Sequence, residues 1–277
     1  MGAFGDFSRI NTNIQSLDAL RHFQLTNQKL GMRQLRLATG KRINRAEDDS
    51  AGFHIAKKLE SRVRGQTQAL ANVGDAKSLL TVAEGSFGTI VDILQTMKEK
   101  TVQAANDTMG SDERTAIQNE MQALSQEITD TLNDTTFNST VLFTSGVLNF
   151  QVNAGAADSF QVTIGTLSVD QMSLATGAID VSSASAATGM LGTIDAAITT
   201  IANKLADIGD SQKRLSFKQD ALSIAITNNE SARSRIEDAD FAKEEMNITK
   251  LQILQQTGTA ALAQANAGPQ SILQLLQ

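Results

Sequence analysis

The chain has 277 residues, enough for one large domain or two ordinary ones. It contains no Cys, Trp or Tyr and only one Pro and two His, which excludes a disulfide framework, a thiolate metal site and a cysteine nucleophile. The net charge of -6 argues against a nucleic-acid binder, although half of the Lys and Arg falls within residues 1 to 65 and the remainder is strongly acidic.

The opening MGAFGDFSRINTN has neither a basic n-region nor an unbroken apolar h-region, so no Sec-type signal peptide is expected. A cytosolic protein and one exported without signal cleavage both fit. No stretch approaches the length needed to span a membrane.

An N-terminal helical arm follows, carrying Ile10, Ile14, Leu17, Leu20, Phe23, Leu25, Leu30, Met32, Leu35 and Leu37. It leads into LATGKRINRAEDDSAG, where Lys41, Arg42 and Arg45 precede Glu47, Asp48 and Asp49. Gly40 suits a left-handed stop for the first helix. Asn44 with Glu47 three residues on makes a capping-box-like start for the next, with Asp48 and Asp49 in its first turn, where they favour the helix dipole.

From Ile55 an apolar seam runs in alternating steps of three and four: Leu59, Arg62, Gln66, Ala69, Val73, Ala76, Leu80, Ala83, Phe87, Ile90, Leu94, Met97, Thr101. Such length predicts a helix packed in coiled-coil fashion. Ile117, Met121, Leu124 and Ile128 mark a shorter amphipathic helix entered through Ser111 and Asp112. LNFQV (148–152) and SFQVTI (159–164) alternate apolar and polar around the turn residues NAGAAD, which predicts a β-hairpin. GAIDVSSASAATG reads as a small, polar loop.

A second seam, Leu191, Ile194, Ile198, Ile201, Leu205, Ile208, Gln212, Leu215, Gln219, Leu222, Ile226, Asn229, Arg233, Ile236, matches the first in length, and the two would bury each other. The C-terminal arm then carries Leu251, Leu254, Gly258, Ala261, Leu262 and Ala265, followed after Pro269 by Ile272, Leu273, Leu275 and Leu276. Each arm bears more apolar surface than pairing with the other would cover. Self-association is therefore expected, with both arms ordering only on assembly.

Chemistry is sparse. His22 and His54 lack HExxH spacing, no GxxxxGK[ST] or GxGxxG occurs, and no nucleophile stands beside a base. Nothing aromatic interleaves the basic run to stack bases. Neither catalytic, cofactor nor metal residues are assigned, and no nucleic-acid or membrane partner is expected.

ATGKRINRAEDDSAGFHIAKKLESRVRG, GDAKSLLTVAEGSFGTIVDILQTMKEKTVQAAN and NESARSRIEDADFAKEEMNITKLQILQQTGTAALAQANAGPQSILQLLQ together resemble bacterial flagellin. The resemblance is collinear over roughly residues 8 to 145 and 190 to 277, and it implies a mainly α protein. Residues 1–44 and 236–277 would form the inner-tube helices, and 45–235 a long antiparallel coiled-coil bundle with a β-hairpin near 147–165. With only a hairpin and a loop between the halves, it looks like a minimal flagellin without outer domains.

What the family implies is a secreted, extracellular, self-assembling filament subunit for swimming motility, not an enzyme and without cofactor. Its partners would be copies of itself, the flagellar secretion apparatus, an export chaperone shielding residues 246 to 277, and the hook-associated junction and cap proteins. A hook-filament junction protein is the nearest alternative; an intracellular coiled-coil scaffold is a more distant one.

Subunit-interface candidates are Leu17, Leu20, Phe23, Leu30, Leu35, Arg42, Arg45, Asp48, Asp49, Leu251, Leu254, Leu262, Leu275 and Leu276. Arg42 or Arg45 is expected to meet Asp48, Asp49, Glu237, Asp238 or Asp240 of the same or a neighbouring subunit. By the same resemblance, Gln95, Lys98, Glu99, Gln103 and Glu120 form a candidate surface for the vertebrate Toll-like receptor that senses flagellin. Thr96 and Lys100 replace the family's Arg and Leu there, which weakens the expected contact.

Overall fold

The computed structural model describes residues 12–144, 147–155 and 158–275, with side chains through residue 267. The fold is mainly α: helices α1 (Ile14–Thr39), α2 (Ser50–Ala104), α3 (Ser111–Asp134), α4 (Ala184–Glu237) and α5 (Phe241–Leu275), with strands β1 (Thr136–Phe137), β2 (Thr140–Val141), β3 (Val147–Gln151) and β4 (Ser159–Thr163) between α3 and α4. Two compact units result. One holds the chain up to Ser61 and again from Asn228, and the other spans Arg62–Thr227, so the division falls inside both long helices.

In the Arg62–Thr227 unit the first seam is buried at every step from Gln66 to Thr101. Thr101 is tolerated there because its hydroxyl donates to the Met97 carbonyl at 2.7 Å, so no polar group is left unmatched. Ile194, Ile201, Ile208, Leu215 and Leu222 of α4 are buried in the same core. Polar bonds outside that core set the direction of packing. Lys98 meets Asp195, Glu84 accepts from Gln212, and Lys77 donates to Ser216 and Gln219, so α2 and α4 run antiparallel.

The seam departs from expectation at its start. Ile55 is exposed and Ala56 is buried instead, because this turn belongs to the other unit, where a different neighbour sets the facing side. Helix α3 presents Ile117, Met121, Ser125, Ile128 and Leu132 inward. Its N-cap is Gly110, not Ser111 or Asp112, and no side chain caps it. The turn before it is held by Arg114, whose guanidinium donates at 3.0 Å to the carbonyls of Ala104 and Asn106 at the end of α2.

Strands β3 and β4 pair antiparallel with Leu148 opposite Val162 and Phe150 opposite Phe160, as the alternation predicts. The β1–β2 pair is an addition to the sequence reading: Asn138 and Ser139 both take positive φ, forming the two-residue turn that matches strand twist. The stretch read as polar loop differs more. Ile179 and Val181 within it are buried, as are Leu167, Val169, Met172 and Leu174 just before it, and α4 already starts at Ala184, with Ser183 accepting from Ala186 N–H. Isolated apolar residues among small ones carry no period, so their burial does not register as a pattern.

Candidate assembly surface

Asn13 caps α1, accepting from Ser16 N–H at 3.0 Å, and Gly40 closes it with φ 69°. Helix α5 begins behind Asp240, whose carboxylate accepts from Lys243 N–H. The two helices lie antiparallel, held by Asn13 to the Ala265 carbonyl, Gln255 to Asn27, and Arg33 to Glu244. Gly258 faces Phe23, from which an added Cβ would stand 3.4 Å, an ordinary contact distance.

Each α1 residue turns the helix by about 100°, so Phe23 and Leu30 share one side while Ile14, Leu17, Leu25, Met32 and Leu35 share roughly the opposite one. Leu30 is buried, Phe23 is half-buried, and Ile248 of α5 is buried with them. The opposite stripe is not covered: Ile14 is 59%, Leu17 58% and Met32 49% exposed. On α5, Leu251 and Leu262 are half-buried, whereas Met246, Ile253 and Leu254 are exposed. Helix α1 thus has two apolar sides and α5 covers one.

That geometry sorts the expected interface residues. Leu17, Leu20, Leu35 and Leu254 face solvent in the single chain. Leu30 does not: it is spent inside the α1–α5 pair, because α5 needs an apolar partner along its own length. The Leu275 side chain and Leu276 lie outside the described residues, as does Ile10.

The link after α1 is a backbone and ionic joint. Arg42 N–H donates to the Glu237 carbonyl at 2.6 Å and Ala239 N–H to the Gly40 carbonyl at 2.9 Å, which sets Lys41 opposite Asp238. Lys41 reaches the nearly buried Glu237 at 2.6 Å. Arg33 holds the equally buried Glu244 through both carboxylate oxygens, at 2.7 and 2.9 Å, with Arg36 4.0 Å away. Arg36 also approaches Asp48 at 3.4 Å.

This pairing corrects the expected one within the chain. Arg42 donates at 2.7 Å to the Ile236 carbonyl, because the link runs beside the end of α4, where free carbonyls collect. Among the described residues the Arg45 guanidinium pairs locally with Glu47, both side chains about 70% exposed. The carboxylates are answered instead by Arg33, Arg36 and Lys41. Arg33 and Arg36 stand three apart, and Glu244 sits in the first turn of α5; that spacing was readable, but the partners lie across the chain.

The helix start differs too. Asp49, not Asn44, caps α2, accepting from Gly52 N–H at 2.9 Å. An added Cβ at Gly52 would come within 2.5 Å of Asp49 Oδ2 and 2.8 Å of Ile43 Cδ1, so the capping carboxylate and the Ile43 side chain would have to shift. Asp48 instead accepts from the N–H groups of Asn44 and Arg45, both at 3.0 Å. Burial would raise its carboxyl, but those two backbone donors and then Arg36 outweigh it and hold the group below its ordinary value. Ile43, a lone apolar residue in the basic run, is buried and plugs the joint.

Two family models match the chain, the bacterial flagellin N-terminal helical region over residues 10–146 and the bacterial flagellin C-terminal helical region over residues 191–276. It is 34% identical to flagellin FlaB1 of Treponema pallidum, across 97% of this chain and 99% of that protein. With a flagellin of Bacillus subtilis it shares 35% identity, across 97% of this chain and 100% of that protein.

The chain belongs to the bacterial flagellins.

A putative flagellar hook-associated protein from Vibrio parahaemolyticus shares the fold at a TM-score of 0.59, with 14% identity, covering 69% of this chain and 100% of that one. As a flagellin the chain is a structural filament subunit that forms a homopolymer, and it is not an enzyme. Its place is the flagellar filament outside the cell. Within the Arg62–Thr227 unit of this flagellin, Gln95, Thr96, Glu99, Gln103 and Glu120 are exposed on α2 and α3. Lys98 is paired with Asp195 at 2.6 Å and Lys100 with Glu120 at 2.8 Å.

Proposed function

We propose that the α1–α5 pair builds the inner tube of the filament and that the uncovered stripe of α1 drives its polymerisation. The inner-tube helices are residues 1–44 and 236–277, and residues 45–235 form the surrounding bundle. The observation carrying this reading is the second apolar side of α1, Ile14, Leu17, Leu25, Met32 and Leu35, which stays exposed after α5 has covered the first. An apolar stripe of that length in water favours association with further copies. The exposed Leu254 and half-buried Leu251 and Leu262 would meet the same neighbours, and Phe23 would tighten against α5 as they arrive.

Arg45, free of any distant partner within the described residues, is the side chain we assign to a carboxylate on a neighbouring subunit. Asp48 and Asp49 act within their own subunit, holding the joint in shape. Before assembly, the apolar stretch from residue 246 onward would be shielded by an export chaperone, and the chain would pass unfolded through the flagellar secretion apparatus. At the filament base and tip, the same helices would meet the hook-associated junction and cap proteins.

The test is polymerisation of purified monomer. Leu17→Glu combined with Leu35→Glu is expected to abolish sedimentable filaments while leaving the monomer's helical circular dichroism intact. Filaments formed at wild-type yield would overturn the reading.

The receptor surface is proposed to signal weakly. Lys100, which stands where the family carries Leu, engages the candidate contact Glu120, and Thr96 offers no bidentate donor. A receptor reporter assay is expected to show reduced potency, restored in part by Thr96→Arg with Lys100→Leu. Full potency of the unaltered protein would refute it.

A further inference from the structure

One face of α4 in the Arg62–Thr227 unit is built for a contact that the single chain does not make. Beside β4 a groove of about 510 Å³ has Lys204, Asp207, Asp210, Lys213, Arg214 and Phe217 in its lining. Phe217 is 63% exposed. The Arg214 guanidinium lies 4.6 Å above the ring of Phe160, which fixes its plane and leaves its N–H edge unspent. Among the described residues no carboxylate pairs with Lys213 or Arg214.

Helix α3 carries the complementary surface. Ala116, Glu120, Ala123, Glu127, Asp130 and Asp134 are exposed and fall along one side at helical spacing. Glu120 is used by Lys100, but Glu127, Asp130 and Asp134 meet no cation among the described residues. An alanine flanked by carboxylates one turn away is a shallow seat with an acidic rim. Lys213 and Arg214 stand one turn before Phe217, which is a knob with a basic edge on that side, Asp210 lying a turn further back and Asp220 one turn beyond.

We propose that the α4 face of Lys213, Arg214 and Phe217 docks on the α3 face of Ala123, Glu127 and Asp130 of a second copy of this chain. The two surfaces differ, so the contact is heterologous: each copy offers one of each, and the interaction propagates instead of closing on itself. Opposite charge on the two rims fixes which copy meets which and speeds encounter. The proposal rests on the reading of the chain as a filament subunit and names one contact within the polymer.

Two charge-reversed proteins test it, Lys213→Glu with Arg214→Glu and Glu127→Lys with Asp130→Lys, together with a third carrying all four changes. Among the described residues, only Arg214, over the Phe160 ring, and Asp130, which accepts from Gln126, engage a neighbour through the altered side chains, and circular dichroism would check the fold of each monomer. Each pair of changes is expected to raise the critical concentration for polymerisation by about tenfold or more, and the four-change protein to return toward wild type. Wild-type behaviour of either two-change protein would overturn the proposal, as would failure of the four-change protein to recover with its helical signal intact. Failure of the unaltered chain to polymerise would instead overturn the filament reading.

Discussion

Asp48 shows how a single carboxylate organises the link. It accepts two backbone N–H groups and faces Arg36, so its charged form is favoured in the folded chain. Its folded pKa therefore lies below the unfolded value of about 3.9. The stabilisation is fully present above that unfolded value and is lost as pH falls through the lower folded one. Thermal melts taken between neutral and strongly acid pH are expected to show this loss, and Asp48→Asn should flatten that part of the curve; an unchanged slope would contradict the assignment. The charges of LATGKRINRAEDDSAG were legible as a structural joint, but their pairing was not. Arg36 and Glu244 are far apart along the chain, and nothing local distinguishes them from solvated charges.

At the scale of elements, period carries the information. The alternating three-and-four spacing identified the buried positions of α2 from Gln66 to Thr101, because a continuous helix has only one way to keep such a line facing a partner. Phe87 is the largest test of that seam, fully buried with its ring 4.7 Å from Phe143. Phe87→Ala is expected to destabilise the protein by about 3–5 kcal/mol in urea denaturation monitored by helical signal. A change under about 1 kcal/mol would mean that the seam is loosely packed there. Where period ended, legibility ended too: Ile179 and Val181 are buried by the chain that happens to fold over them, not by a repeat.

For the whole molecule, the two units differ in how much apolar surface they enclose. The Arg62–Thr227 unit holds a long continuous core, whereas the α1–α5 pair buries Leu30 and Ile248 and leaves more apolar side chains outside than in. Low burial means low local stability. Amide exchange in the isolated monomer is expected to be fast across residues 14–39 and 241–267 and slow across residues 66–101, with protection of the first two appearing on polymerisation. Slow exchange throughout the monomer would count against assembly-coupled ordering. The family assignment was readable from the collinear motifs at both ends; which side of α1 remains free required the fold.

The stitch between Gly40 to Arg42 and Glu237 to Ala239 has a mechanical side. Here two strands of the same chain run side by side, joined by backbone hydrogen bonds from both directions. Tension or torque passing through this place is shared by two covalent strands. Force directed along the strands would load their hydrogen bonds in shear, where they yield together, so a rotating propeller would transmit it through such a link without peeling it open.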